Sequence, residues 1–253
     1  MSSEKTKVYF ILGTPGSGRR EIVRELLEFG LEPGEPALVL LAESEAPAAG
    51  EDKLVARAGI EVRRLKWTPA ELPAVELPEK GAVFLFADSG ADPITQIESL
   101  KPWLELHGAE LARIFTVVDC QFAEKHPALR HWYQACIHFS DVVFLTKREG
   151  VANKWVSDFL KHYQDECFPC LFIQMKKTGL ANPALVMTPE PRRVSQYFDE
   201  AEDLSGVEIE TDDEEDEEDP DGDLPALEPY FERHRNNRRV KELPDIRQYL
   251  KKA

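Results

Sequence analysis

The sequence predicts an α/β protein with a mostly parallel β-sheet of about six to seven strands and helices on both faces. Short apolar runs without polar alternation recur along the chain, which is typical of strands that are buried on both faces. Amphipathic stretches with helical spacing separate these runs, and this alternation favours a parallel sheet. A glycine-rich turn joins the first apolar run to the first amphipathic stretch, as in strand–loop–helix units.

The predicted strands are the apolar runs themselves. Valine, isoleucine, leucine and phenylalanine are common in them, and their lengths suit strands better than helices. They comprise residues 8–12, 37–42, 60–65, 82–86, 114–118, 142–145 and 171–173.

Helices are predicted where apolar residues recur at helical spacing. Gly30 marks the end of the first helix, and Pro127 suits the start of a later one. We expect Pro102 to bend the helix that contains it. The predicted helices lie within residues 19–30, 54–58, 94–104, 127–137 and 151–163, and the predicted surface or irregular segments are 43–52 and 68–80.

The glycine-rich turn that follows the first strand predicts a phosphate-binding loop. Its backbone N–H groups and the positive end of the next helix attract phosphate oxygens, and glycine lets the backbone approach the ligand. The motif G-x-x-x-x-G-K followed by Ser or Thr is met at both glycines, but arginines stand at its last two positions. A plain glycine turn between strand and helix is the alternative. The residues predicted to bind phosphate are Gly13, Pro15, Gly16, Ser17, Gly18, Arg19 and Arg20.

Polar residues also follow three other predicted strands. Asp88-Ser89-Gly90 lies shortly after one strand, Asp119 follows the next, and Thr146-Lys147 follows a third. Ligands of parallel α/β sheets bind beyond the carboxyl ends of the strands. Four polar strand ends, counting the glycine loop, therefore predict one ligand site at this edge.

The composition is that of a globular protein, with 42% hydrophobic residues. The polar N-terminal residues run directly into the first strand, so we expect no signal peptide, and no apolar run approaches membrane-spanning length. The four cysteines are too few and too scattered for a disulfide framework. We therefore predict a cytoplasmic protein with reduced thiols and no membrane partner.

The net charge of −16 is concentrated in one segment, because residues 199–223 hold 16 Asp or Glu and no Lys or Arg. We predict a folded domain over residues 1–190, a disordered acidic linker over 191–225 and a basic tail over 226–253. Tyr230, Phe231 and Tyr249 are candidate anchors by which the tail docks on another protein, or it folds back on the acidic linker. The acidic linker competes for the same cations as a nucleic acid, which argues against a nucleic-acid role.

Cys167 and Cys170 have the spacing of a zinc or redox pair, with His162 nearby. Zinc needs three or four ligands, and no second cysteine pair is present. A redox pair is expected just after a strand, whereas this pair precedes one. We favour two ordinary thiols and predict no metal site.

The order of these motifs resembles the CobW-like family of P-loop GTPases, relatives of the HypB and UreG metallochaperones. The resemblance covers roughly residues 7 to 175. Gly13-Thr-Pro-Gly-Ser-Gly-Arg-Arg20 is similar to the family loop G-F-L-G-S-G-K-T, and Ala87-Asp-Ser-Gly-Ala-Asp-Pro93 to E-T-S-G-x-A-D-P. Val117-Val-Asp-Cys120 resembles V-V-D-A, and the stretch from Ser140 to Glu149 resembles A-D-x-x-x-L-N/T-K-x-D, which recognises guanine.

The resemblance implies a P-loop NTPase-like fold that binds GTP or GDP, with Asp88, Ser89, Gly90 and Asp119 as Walker B-like or switch residues. It also implies that Thr146, Lys147 and Glu149 bind guanine, Glu149 standing in place of the family Asp.

Several family residues are replaced in this chain. The Lys and the Mg²⁺-binding Thr of the loop are Arg19 and Arg20, and the Glu that opens E-T-S-G is Ala87. The cysteine motif C-x-C-C is absent between the second predicted strand and Ala82. Since phosphoryl transfer depends on Mg²⁺ and a positioned Lys, we predict a degenerate member in which binding survives and hydrolysis is weak or absent.

Three functions remain open from the sequence. The leading one is a degenerate GTPase domain that acts through nucleotide-dependent contact with an unidentified protein partner. The second is an active GTPase for handling a metal cofactor. The third is a scaffold that binds no nucleotide and works through its charged tail.

Overall fold

The seven predicted strands form one sheet in which every strand pair is parallel, within the residues that the computed structural model describes: 5–45, 47, 54, 58–199 and 228–250. The strand order is β3-β2-β4-β1-β5-β6-β7. The strands are β1 Lys7–Gly13, β2 Ala37–Ala42, β3 Ile60–Leu65, β4 Ala82–Phe86, β5 Glu110–Asp119, β6 Val142–Thr146 and β7 Leu171–Gln174. The predicted α/β, P-loop NTPase-like fold is confirmed.

The helices lie between the strands, with two short ones beyond β7. They are α1 Arg19–Phe29, α2 Pro93–His107, α3 Cys120–Lys125, α4 Arg130–His138, α5 Asn153–Asp165, α6 Pro183–Met187 and α7 Arg247–Leu250. A 3-10 turn, Pro127–Leu129, precedes α4. In the described part of the chain, no helix has the length and apolarity needed to cross a bilayer.

The two faces of the sheet are buried in two separate apolar clusters. In β1, Val8, Phe10 and Leu12 belong to one cluster, and Tyr9 and Ile11 belong to the other. This alternation follows from the pleat, which sends successive side chains to opposite faces. Each fully buried side chain of this size contributes about 1.5–3 kcal/mol, so an uninterrupted apolar run is the sequence that such a strand requires.

The strand order brings five loops to one edge. Strand β1 lies in the sheet between β4 and β5, with β2 beyond β4 and β6 beyond β5. Because all these strands are parallel, the loops that follow β2, β4, β1, β5 and β6 leave from the same edge of the sheet. The four polar strand ends predicted from the sequence therefore meet there.

Helix α3 and the length of β5 were not predicted. Strand β5 begins at Glu110, four residues before the predicted start, and α3 begins directly after Asp119. The Asp119 carboxylate caps α3 by accepting from the Phe122 N–H at 3.0 Å. Helix α3 has six residues, too few for an apolar stripe to mark it in the sequence. The predicted helix at 54–58 falls mainly outside the described residues.

Residues 191–199 pack on the domain, which differs from the predicted linker boundary at 191. Asp141 is wholly buried and accepts hydrogen bonds from the backbone N–H groups of Ile114 (2.7 Å) and Arg192 (2.6 Å). The Arg193 guanidinium also pairs with it at 3.2 Å. Burial raises the pKa of Asp141, and these partners oppose that rise. The rest of the acidic linker, residues 200–227, lies outside the described residues.

The C-terminal segment, residues 228–250, docks on the domain itself. Tyr230 and Ile246 are buried, and Phe231 stacks on Phe139 with ring centroids 5.6 Å apart. Arg233 and Arg239 both donate to the Glu98 carboxylate.

The predicted anchors Tyr230, Phe231 and Tyr249 thus pack on the domain. The ring centroids of Tyr249 and His126 lie 5.5 Å apart. In the described residues their partner is this domain, whereas the sequence suggested another protein or the acidic linker.

Candidate functional site

The loop between β1 and α1 has a backbone that requires glycine. Gly13 has φ +141°, and a Cβ built there would lie 2.7 Å from the Val117 carbonyl oxygen of β5. Gly16 and Gly18 have φ values of +71° and +94°, in the left-handed region that side chains disfavour. Gly18 caps α1, whose first residue is Arg19. The glycine spacing seen in the sequence therefore sets a tight turn that ends at a helix N-terminus.

A cavity of about 1070 Å³ opens beside this loop. Its walls come from the loop, from the segments after β2 and β4, from Trp132 of α4 and from the C-terminal segment. The predicted site residues among those lining it are Pro15, Gly16, Arg20, Asp88, Ser89 and Gly90. Its volume is slightly larger than the roughly 300–1,000 Å³ that is usual for small-molecule sites.

Arg19 reaches the tips of the strands beneath the loop. Its side chain is 5% exposed, and Nη1 donates to the Ala87 carbonyl at 2.7 Å. The guanidinium lies 5.5 Å from the Phe86 ring centroid, and Nη2 forms an ion pair with Glu45. The charge of Arg19 is therefore used inside the protein in this conformation, and its predicted contact with phosphate stays a prediction.

Glu45 lies in the candidate site although it was not predicted as a site residue. It follows β2 at the start of the predicted surface loop, yet its side chain is only 9% exposed. Its carboxylate also lies 3.4 Å from Arg20 Nη2 and accepts from the Ser89 N–H at 3.0 Å. Burial alone raises the pKa of Glu45, but the charge of Arg19 and the hydrogen bonds from Arg19 and Ser89 hold that pKa below its usual value.

The segment after β4 is fixed by its own side chains. Asp88 accepts from the Ser44 hydroxyl at 2.7 Å and from the Gly90 N–H at 2.9 Å. The Gln96 side chain accepts from the Asp88 N–H at 2.7 Å, while Asp92 caps α2. Asp88 thus shapes a turn that presents the Ser89 amide to Glu45.

The ends of β5 and β6 are tied to the other flank of the loop. The Thr146 hydroxyl donates to the Ser17 carbonyl at 2.7 Å. Lys147 has φ +47°, a strained value for a residue with a side chain, and its Nζ lies 2.9 Å from Asp119 Oδ2. A Cβ on Gly16 would lie 4.0 Å from the same Nζ, so the lysine passes along the loop.

Glu149 is a predicted site residue in the loop that follows β6. It is exposed, and its backbone carbonyl accepts from Gln121 Nε2 at 2.6 Å. The structure therefore brings the loop, Asp119, Thr146 and Lys147 together, and Glu149 is exposed two residues beyond Lys147.

All four cysteines are free thiols. Burial raises the pKa of Cys170 to about 12, so this thiol stays protonated at neutral pH. Among the described residues, no group of three His, Cys, Asp or Glu side chains is arranged to hold a metal ion.

Comparison with known proteins found no matching protein-family model and no matching curated sequence. Among solved structures, the chain is similar to the Zn(II)-bound YjiA GTPase from E. coli, with 14% sequence identity, a TM-score of 0.38, and coverage of 75% of this chain and 67% of that one. A Zn(II)-bound triple mutant of YjiA GTPase matches at 15% identity with the same coverage and TM-score. The likeness is distant, and the P-loop NTPase-like assignment rests on the chain's own sheet order and glycine loop.

Proposed function

We propose that this chain binds a guanine nucleotide, GTP or GDP, at the loop between β1 and α1, and hydrolyses it slowly or not at all. The observation that carries the proposal is that Thr146 bonds to the Ser17 carbonyl of the glycine loop and that the Lys147 ammonium passes beside Gly16. It sets a phosphate-binding backbone and a candidate base-binding lysine side by side at the same edge of the sheet.

Each part of the site has a distinct task in this proposal. The loop amides and the N-terminus of α1 bind the phosphate groups. Lys147, held in a strained backbone conformation by its neighbours, lies along the guanine ring, and Glu149 accepts from the ring N–H groups. Glutamate is one methylene longer than aspartate, and its exposed position gives it room to adjust.

The residues beside the loop do not fit Mg²⁺, the ion that this fold family implies. Arg20 stands where the hydroxyl ligand belongs, and the Glu45 carboxylate is paired with Arg19. Two guanidinium groups at this point repel a divalent cation. Without the ion or the lysine that neutralise phosphate charge, efficient hydrolysis is not expected.

A protein that binds a nucleotide without hydrolysing it acts through the other molecules that its nucleotide-bound form contacts. We infer that the nucleotide-bound protein is recognised by a protein partner. Asp245 and Arg247 of the C-terminal segment line the same cavity as Arg20. This supports the inference, because a nucleotide bound in the cavity would contact a segment that also forms part of the outer surface.

A scaffold that binds no nucleotide is the second candidate. The Arg19–Glu45 ion pair favours it, since it neutralises a charge that phosphate would use. An active metal-handling GTPase has no comparable observation in its favour among the described residues.

Isothermal titration of the full chain with GDP, GTP and ATP tests the proposal. We expect GDP and GTP to bind more tightly than ATP. Lys147→Ala should weaken GDP binding about tenfold, because the contact of the lysine with the face of the guanine ring is lost. Lys154→Ala is the matched control, because Lys154 is an exposed lysine of α5 that pairs with Asp158. Absence of binding by any nucleotide would favour the scaffold.

A further inference from the structure

The Glu45 carboxylate occupies a ring of donors that suits an anion. Arg19 and Arg20 come from the start of α1, and the Ser89 amide comes from the segment after β4. Guanidinium groups and backbone amides are the groups that bind phosphate oxygens in proteins.

The ring is buried and preorganised. Arg19 is held in place by its bond to the Ala87 carbonyl, and the Ser89 amide is fixed by the turn that Asp88 forms. Arg19 is 5% exposed and Glu45 9% exposed, so water screens their attraction weakly. The ring would therefore hold any anion that replaced the carboxylate.

We propose that Arg19, Arg20 and the Ser89 amide form the binding site for the terminal phosphate of the ligand, and that Glu45 fills this site from within. This inference rests on the proposed function and adds a rule to it: an incoming phosphate has to displace Glu45. The protein is then self-blocked in the absence of ligand, and its affinity is reduced by the fraction of molecules in which Glu45 holds the site.

The surroundings of Glu45 permit this exchange. Glu45 lines the cavity of about 1070 Å³, and the proposal requires a change of side-chain rotamer that moves its carboxylate from the ring into that cavity. Its backbone stays anchored meanwhile, because its carbonyl accepts from Arg64 at 2.8 Å and its N–H donates to the Ala42 carbonyl at 3.2 Å.

A purely structural role for Glu45 predicts a different outcome. If the carboxylate only joins α1 to the segment after β4, its neutralisation destabilises the protein and leaves anion affinity unchanged or weaker. Self-blocking instead predicts tighter anion binding in the less stable protein.

Titration of the full chain with inorganic tripolyphosphate and with GDP, both without divalent cations, separates these roles. We expect Glu45→Gln to bind both ligands about tenfold more tightly than wild type, because the amide keeps the shape but not the competing charge. Glu43→Gln is the control. Glu43 is an exposed carboxylate two residues away, and its loss should leave both affinities unchanged.

Equal affinities in wild type and Glu45→Gln would overturn self-blocking while leaving the proposed function intact if GDP binds. Tighter tripolyphosphate binding with no preference for GDP over ATP would support self-blocking and contradict the guanine assignment. No binding by any variant would contradict both.

Glu45→Asp covers the case in which Glu45→Gln fails to fold. The shorter side chain keeps its charge but contacts the donors of the ring less closely. Tripolyphosphate affinity should therefore rise a few-fold. An aspartate variant that binds as wild type does would overturn the proposal.

Discussion

At the scale of single residues, the contacts of the Arg19 guanidinium depend on Glu45, a partner far along the chain. A phosphate contact for Arg19 follows from its place in the loop motif. Its ion pair with Glu45 joins residues 26 positions apart, and this pairing becomes visible only once β2 and β1 are placed in one sheet. The segment after β2 is rich in Ala, Glu, Pro and Gly, a composition that indicates solvent exposure. The sequence signal that could have identified Glu45 is the position of an acidic residue just beyond β2, a strand whose end lies near the glycine loop.

The pKa of Glu45 predicts how stability changes with pH. Its pKa is lowered in the folded protein from a usual value of 4.5, so its contribution is present above pH 4.5 and is lost as the pH falls through the folded value. We expect wild type to exceed Glu45→Gln by about 2 kcal/mol in free energy of unfolding at pH 7, and by much less at pH 3. Urea denaturation at both pH values measures this. A difference that does not change with pH would show that the Glu45 charge does not stabilise the fold.

At the scale of elements, the strands could be predicted and the docking of the C-terminal segment could not. Each strand is an apolar run whose burial on both faces is required by a covered parallel sheet, so its position is recorded locally in the sequence. The contact of Phe231 with Phe139 joins two residues that no local pattern relates. The sequence identified aromatic anchors in the tail but contains nothing that specifies their partner.

Ile246 is expected to hold the end of the C-terminal segment on the domain. It is 2% exposed and lines the same cavity as Pro15 and Gly16 of the glycine loop. Ile246→Ala should remove about 2 kcal/mol or more of docking free energy, which opens residues 228–250 locally. Hydrogen exchange of that segment should speed up at least tenfold. Val240→Ala, at a position that is 40% exposed in the same segment, is the control. Unchanged exchange in Ile246→Ala would show that other contacts hold the segment.

At the scale of the whole molecule, sheet order decides which predicted residues can form one site. The strand order places the loop after β1 between the segments after β4 and β5, with Asp88 on one side of the glycine turn and the Asp119–Lys147 pair on the other. The sequence could predict this convergence because parallel strands end at one edge. It could not predict which charged side chains form ion pairs inside the protein, because ion pairing depends on distances between side chains of different loops.

In the proposed function, the glycine loop binds a guanine nucleotide without magnesium and without efficient turnover. The most direct measurement is titration of the full chain with GDP in EDTA and in excess Mg²⁺, together with phosphate release from GTP. We expect the same GDP affinity in both buffers and no phosphate release above background. GDP binding that appears only with Mg²⁺, or sustained release of phosphate from GTP, would contradict it.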